Sequence, residues 1–166
     1  ACGEKNILFT NNDTAYETAI NLFNKGINVE AIIDNREEID SKLIKDAEKY
    51  NIKIYKGYTV VNTSGYKRIN KVSIMQLSKD GQKVVGSKTS IACDCLGISG
   101  GWTPAVHLFT QSGGKLKFRD EDQVFIPDIY PSDQISIGSC NGDFTLDEIL
   151  VDLPKTLKKF LNLKIT

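Results

Sequence analysis

"KNILFTNNDTAYETAINLFNKGINVEAIID", residues 5–34, is the stretch whose reading decides the fold. Lys5 to Thr10 is a short apolar run of the kind found in a parallel sheet covered on both faces. Ala15, Ala19 and Phe23 then recur at four-residue spacing with Ile20 beside them, which marks one buried helical face. Gly26 stands where a helix ends on a left-handed residue. A second apolar run, Val29 to Ile33, closes on the acid Asp34. Strand, tight turn, helix, strand and terminal acid are the layout of a dinucleotide-binding unit, and the crossover between the strands should be right-handed.

The glycines of such a unit are absent. A phosphate-cradling turn reads G-x-G-x-x-G, and the three positions here hold Asn11, Asp13 and Tyr16. Asn11 tolerates a left-handed turn, whereas Asp13 places a negative side chain near the expected phosphate, and Tyr16 should widen the contact between helix and strand. Two readings stay open. Thr14 and Glu17 have the T-x-x-E spacing of a capping box, which would satisfy the helix amides without a ligand; alternatively the turn still touches a nucleotide. Asp34 lies about 20 residues beyond the turn, where an acid binds a ribose hydroxyl, although strand ends in α/β folds are often simply acidic and solvated.

Beyond Asp34 the chain continues with a helical stripe at Ile39, Leu43 and Ala47 and a third parallel strand near Ile52 to Tyr55. An antiparallel meander follows, with Asp80-Gly81 as a hairpin turn signal, and then a return strand from Ser90 to Ile98 that places Cys93 and Cys95 on one side. Ser99-Gly100-Gly101 at the end of that strand lets backbone approach a ligand, because ligands of open α/β sheets sit outside the strand ends. Trp102 and Pro104 fix a compact turn; its plainer reading is a packed crossover with a buried indole. His107 reads as a structural or interface residue.

From Gly113 the texture changes. "KLKFRDEDQVFIP" predicts a hairpin around Asp120 to Asp122, and "QISIGSCNGDF" predicts a strand running into a glycine-containing turn. The amides from Gly138 to Gly142, ahead of a capped helix, could face an anion, while Cys140 reads as an inert thiol. Thr145 and Glu148 have capping-box spacing, Leu146, Ile149, Leu150 and Leu153 form an apolar face, and Pro154 should kink or interrupt the helix.

Bulk properties set limits on function. The chain has 166 residues, 40% hydrophobic and 25% charged, which suits an ordinary globular domain plus a fragment of another. Twenty-one basic and twenty-one acidic residues cancel, which argues against a nucleic-acid partner. Neither a membrane span nor a signal peptide is visible, so a cytoplasmic location is expected. The four cysteines contain no C-x-x-C, and with one histidine a zinc site is not expected.

The order of these pieces resembles the later half of flavoproteins with two nested dinucleotide domains. In that family an inserted nicotinamide domain ends at a Gly-x-x-Pro turn, matched here by Gly101 to Pro104, and the chain returns to finish the flavin domain. Its finishing strand usually carries Gly-Asp against the flavin, where this chain has Gly138-Ser139. "FTNNDTAY", "ACDCLGISGGWTPAVHLFTQSGGKLKF" and "SIGSCNGDF" are similar to the α subunits of heterotetrameric sarcosine oxidases, over nearly the whole chain. The α subunits of dye-linked proline dehydrogenase complexes share much of this architecture.

The resemblance implies oxidative demethylation of sarcosine to glycine, with hydrogen peroxide formed at a flavin and the one-carbon unit passed to tetrahydrofolate or released as formaldehyde. In such complexes FAD and the amine-oxidising site belong to the β subunit, FMN lies between α and β, and the α subunit holds NAD and a folate-binding domain. The chain would be a central part of that subunit, without a complete active site. The expected fold is α/β: a Rossmann-like three-layer domain with a parallel sheet and an antiparallel meander over residues 1–112, then a strand-helix piece of a neighbouring FAD/NAD-type domain over 113–166. Cofactor contacts are expected from Asn11, Asn12, Asp13 and Asp34 at the first sheet edge and from Gly100, Gly101 and Thr103 at the crossover. The rival reading is a non-catalytic assembly module that keeps the architecture and binds no nucleotide.

Overall fold

The computed structural model describes residues 3–131 and 134–161; Cys2 lies outside them. Two compact units are formed, Ala1–Gly101 and Trp102–Thr166. The division falls ahead of the boundary expected after residue 112. Residues 102–112 go with the second unit because the Ala105 amide donates to the Ser139 carbonyl (3.2 Å) and Phe109 packs edge-on against Tyr130 (5.0 Å between ring centres).

In the first unit, β1 (Asn6–Thr10), α1 (Thr14–Asn24), β2 (Val29–Asp34), α2 (Ser41–Lys49) and β3 (Lys53–Lys56) follow the predicted β-α-β-α-β order, with β3 one residue later than expected. Three antiparallel strands come next: β4 (Tyr58–Gly65), β5 (Ile69–Leu77) and β6 (Val84–Ala92). The return strand β7 (Cys95–Ser99) completes a parallel sheet in the order β3-β2-β1-β7.

Three layers result, and β2 shows why its sequence is apolar almost throughout. Ala31 and Ile33 join Ile7, Val72, Ile74 and Cys93 beneath the meander. Ile32, pointing the other way, joins Tyr16, Ala19, Val29, Ala47 and Ile52 beneath the helices. With both faces covered, neither side of the strand can be polar. This is the Rossmann-like α/β architecture read from the sequence.

Local signals account for most turns. At the end of α1 the Gly26 amide donates to Phe23 and the Ile27 amide to Leu22, a Schellman closure that requires the positive φ of 76° at Gly26. Asp40 caps α2 by accepting from the Lys42 amide (2.8 Å). The β5–β6 hairpin turns at Asp80-Gly81 as expected, and there the Ser78 amide donates to the Lys83 carbonyl (2.8 Å).

One predicted strand divides. The run from Ser90 to Ile98 is split between β6 and β7, because the Asp94 carboxylate turns out of the ladder to accept from the amides of Glu4 (2.9 Å) and Lys5 (2.8 Å). Cys93 therefore sits between strands and is buried, while Cys95 begins β7, so the expected shared face does not arise.

The second unit contains a short helix, α3 (His107–Gln111), the hairpin β8 (Lys115–Arg119) and β9 (Val124–Ile129), a 3-10 turn at Gly138–Cys140, and α4 (Leu146–Phe160). The hairpin reverses around Asp120 to Asp122 as predicted. The strand expected at Gln134 to Ile137 does not form: β8 and β9 bond each other, and no third strand of that unit pairs with these residues among those described. Pro154 lies inside α4 without ending it. It is exposed, so solvent can take up the carbonyl that the missing proline N–H leaves unbonded.

Candidate functional site

Register sets the candidate site. Thr10 is paired with Asp34 of β2 and with Ser99 of β7, so the C-terminal ends of three parallel strands lie abreast where such sheets bind ligands. Asn11, Asn12, Asp13, Asp34, Gly100 and Gly101 are all at this edge. Thr103 belongs to the second unit and is exposed.

The turn after β1 is held by side chains in place of glycines. Thr10 Oγ1 accepts from the Asn12 amide and donates to the Asn12 carbonyl, both at 3.0 Å. Asn12 Oδ1 accepts from the amide (3.2 Å) and hydroxyl (2.5 Å) of Thr14, while its Nδ2 donates to the Ser99 carbonyl and hydroxyl, each at 3.0 Å. Asn12 thus ties the start of α1 to the end of β7. The Thr14–Glu17 capping box is not formed: Thr14 is already the first helical residue, Asp13 is the N-cap, and Thr14's hydroxyl is spent on Asn12.

Glycine matters at one of the two crossover positions. Gly101 has φ +96°, a left-handed conformation that residues with a side chain rarely adopt. A Cβ at Gly100 would meet open space, so nothing in this unit forces glycine there.

Arg36, two residues beyond Asp34, was not among the expected site residues, and it organises the edge. Asp34 is 0% exposed. Its Oδ1 accepts from the Arg36 backbone amide (2.9 Å) and Nε (3.1 Å). Its Oδ2 accepts from an Arg36 terminal nitrogen (2.8 Å) and from the Tyr16 hydroxyl (3.1 Å). The other terminal nitrogen of Arg36 pairs with Asp13 at 2.7 Å. A signal for this residue did exist: an acid placed in a phosphate turn needs a counter-ion, and a basic residue follows the acid at the end of β2.

The electrostatics match this geometry. The side-chain bond to Asp34 pushes the Arg36 guanidinium far above its already high range, against the opposing effect of burial. Burial first, and then the Asp34 carboxylate, raise the Tyr16 hydroxyl well beyond an ordinary phenol, so it stays a donor. The Tyr16 ring is fully buried in the helix-side core and its hydroxyl ends on Asp34.

An ionised carboxylate offers about four acceptor positions, and Asp34 fills four with protein donors. None is left for a ribose hydroxyl. Asp13 adds a negative side chain at the turn, and the Thr14 amide is bonded to Asn12. As they stand, these residues do not fit a dinucleotide.

Part of the expected anion site in the second unit is likewise spent. The amides of Asn141 and Asp143 donate to the Gly138 carbonyl at 2.7 and 3.1 Å. The N-terminus of α4 is closed by a complete Thr145–Glu148 capping box, as its spacing predicted. Trp102 is exposed and lies against Phe144 (6.4 Å between ring centres), so its indole is not the buried plug of the plainer reading. His107 and Cys140 are exposed. Among the described residues no group of three or more His, Cys, Asp or Glu is placed to hold a metal, and no helix is long and apolar enough to cross a membrane.

Sarcosine oxidase subunit alpha of Corynebacterium sp. strain P-1 is 29% identical over 144 residues, which cover 86% of this chain and 14% of that protein. The subunit of the same name from Rhizobium meliloti strain 1021 is 30% identical over 133 residues, 76% of this chain and 11% of its own length. The chain is related to a segment of sarcosine oxidase subunit alpha. It spans about a seventh of the length of that sarcosine oxidase subunit in Corynebacterium. No protein-family model matches it.

Solved structures agree on the fold. Thioredoxin reductase from Lactococcus lactis superposes with a TM-score of 0.68 at 18% identity, covering 97% of this chain and 54% of that one. Thioredoxin reductase from T. acidophilum gives 0.66 at 19%, covering 95% and 52%. Both superpositions show the same Rossmann-like α/β fold.

Proposed function

We propose that this chain is the nicotinamide-domain-type scaffold of a sarcosine oxidase α-like subunit whose nucleotide edge has been closed by its own side chains. The complete complex would demethylate sarcosine oxidatively to glycine, with hydrogen peroxide and a one-carbon unit as the other products. FAD and FMN would be supplied with the rest of the complex, the β subunit would be the principal partner, and tetrahydrofolate would be served by a domain outside this chain. A cytoplasmic location fits that role. The segment itself would supply shape and assembly surface, with no catalytic group of its own.

The observation that carries this reading is the saturated, fully buried Asp34 carboxylate. An NAD ribose could reach it only by displacing Arg36 or Tyr16. Displacing Arg36 would leave a buried charge without its counter-ion, a cost of about 3 kcal/mol or more. Hydrogen bonds from a ribose to a charged group return about 1.5 to 3 kcal/mol, so they do not clearly recover that loss. The closed arrangement is favoured.

Calorimetric titration of the chain with NAD and with FAD tests this. No binding heat at millimolar ligand is expected; micromolar affinity for either would overturn the closed-site reading. Asp13→Gly sharpens the test. If Asp13 alone excluded phosphate, the variant would gain NAD binding; because Arg36, Tyr16 and Asp34 stay joined without it, no gain is expected.

A further inference from the structure

The first unit separates its charges by layer. Residues 13–49, which carry both helices, hold nine acids and five bases. Residues 58–92, the meander, hold six bases and a single acid, Asp80. A surface that serves solubility alone mixes the two signs, because grouped like charges repel. Lys79 and Lys83 flank Asp80 at the β5–β6 turn. Lys67, Arg68 and Lys71 gather at the other end of the nine-residue β5, about 30 Å away. Among the described residues none of these three is in an ion pair. Asp94 feels Arg68 only weakly, because its carboxylate is held by the amides of Glu4 and Lys5.

Register shows which way this end of the meander faces. Val72 and Ile91 pack into the core beneath it. Lys71 precedes Val72 and Ser90 precedes Ile91, so both stand on the outer face. There Ser64, Asn70, Lys71, Ser90 and Ala92 line a shallow hollow. A second hollow, sharing Ser64, runs over the β4–β5 turn from Thr63 to Ile69. Tyr66, in that turn, is 97% exposed. The side chains around both hollows bring hydroxyls, an amide and cations, and no carboxylate. This is not a core surface left open, because the parallel sheet is covered on both faces within its own unit.

We propose that this end of the meander docks an acidic segment of another protein chain. Arg68 takes a carboxylate through paired N–H donors, Lys67 and Lys71 add charge, and the Tyr66 ring covers the segment's aliphatic stems. Tyrosine and arginine are among the residue types that most often anchor such contacts. A nucleic acid fits less well: single strands stack on successive aromatic side chains, and the patch has one.

Fluorescence anisotropy of a labelled decaglutamate peptide, titrated with the whole chain, tests this. Binding is expected at about 0.05 M salt and should weaken severalfold by about 0.5 M, because exposed charges are screened. Replacing Lys67, Arg68 and Lys71 together by Gln should weaken it about tenfold or more, whereas Lys79→Gln with Lys83→Gln should change it less than about twofold. Tyr66→Ala should weaken binding and leave its salt dependence as it was, the sign of a seated contact rather than a diffuse attraction. All six side chains are exposed, so the variants should fold, which thermal unfolding checks. No binding at low salt, equal losses from the two ends of β5, or indifference to Tyr66→Ala would overturn the proposal. So would an oligothymidylate that binds this patch more tightly than the peptide at the same salt. Salt-sensitive self-association, lost in the triple variant, would assign the patch to the acidic layer of a second copy and overturn it likewise. None of these outcomes depends on whether NAD binds at the nucleotide edge.

Discussion

Arg36 pairs with two carboxylates, and the two pairs differ in what their loss would cost. Asp34 is 0% exposed, whereas the side chain of Asp13 is 57% exposed and that of Arg36 32%. The outer pair is a surface salt bridge, worth about 1 kcal/mol or less. The inner one holds a buried charge, and removing its partner costs about 3 kcal/mol. Urea unfolding should therefore show Arg36→Ala far less stable than wild type and Asp13→Ala nearly unchanged. Equal losses would mean that the guanidinium's hold on Asp34 is not the stabilising contact. Both acids were legible in the sequence as an incomplete nucleotide fingerprint. The contact that disarms them was not, because Arg36 reaches back across the strand end to a turn more than twenty positions earlier, and spacing alone does not report such a meeting.

At the scale of elements, periodicity carried the first unit well, because strands covered on both faces and helices covered on one leave unlike patterns. It failed where a single polar side chain overrode the pattern. Ser90 to Ile98 reads as one strand until Asp94 is seen to bond the amides of Glu4 and Lys5. The same override displaced the capping box at Thr14, where Asn12 took the hydroxyl and the amide. In α4, the helix runs on through Pro154, where an interruption was one of the two outcomes expected. The Asp94 junction has a testable pH signature. The amide of Glu4, and then that of Lys5, hold the Asp94 carboxyl below the usual carboxylate range. A group whose folded pKa is depressed stabilises the fold above its unfolded pKa, and that contribution is lost as pH falls through the folded value. The stability gap between wild type and Asp94→Ala should thus be largest near neutrality and shrink in acid. A gap that is constant with pH would show that the charge contributes nothing.

At the scale of the whole molecule, the architecture survives although the feature that normally justifies it is gone. A glycine-rich turn leaves helix amides open to phosphate; here Asn12, Thr10 and Asp13 close the turn from within, and the fold keeps its strand order and its right to a place among Rossmann-like proteins. The second unit was harder to read because its pieces do not complete a sheet: the expected strand at Gln134 to Ile137 has no ladder partner in the unit among the described residues, while α4 formed as its caps and apolar spacing foretold. Closure of the nucleotide edge by Arg36 is the central claim, and nuclear magnetic resonance of the Arg36 side chain reads it directly. A guanidinium locked on Asp34 should give a slowly exchanging Nε–H resonance with restricted rotation of its terminal groups, unchanged when NAD is added to millimolar concentration. A rapidly exchanging, freely rotating Arg36, or a resonance that moves as NAD is titrated in, would contradict it.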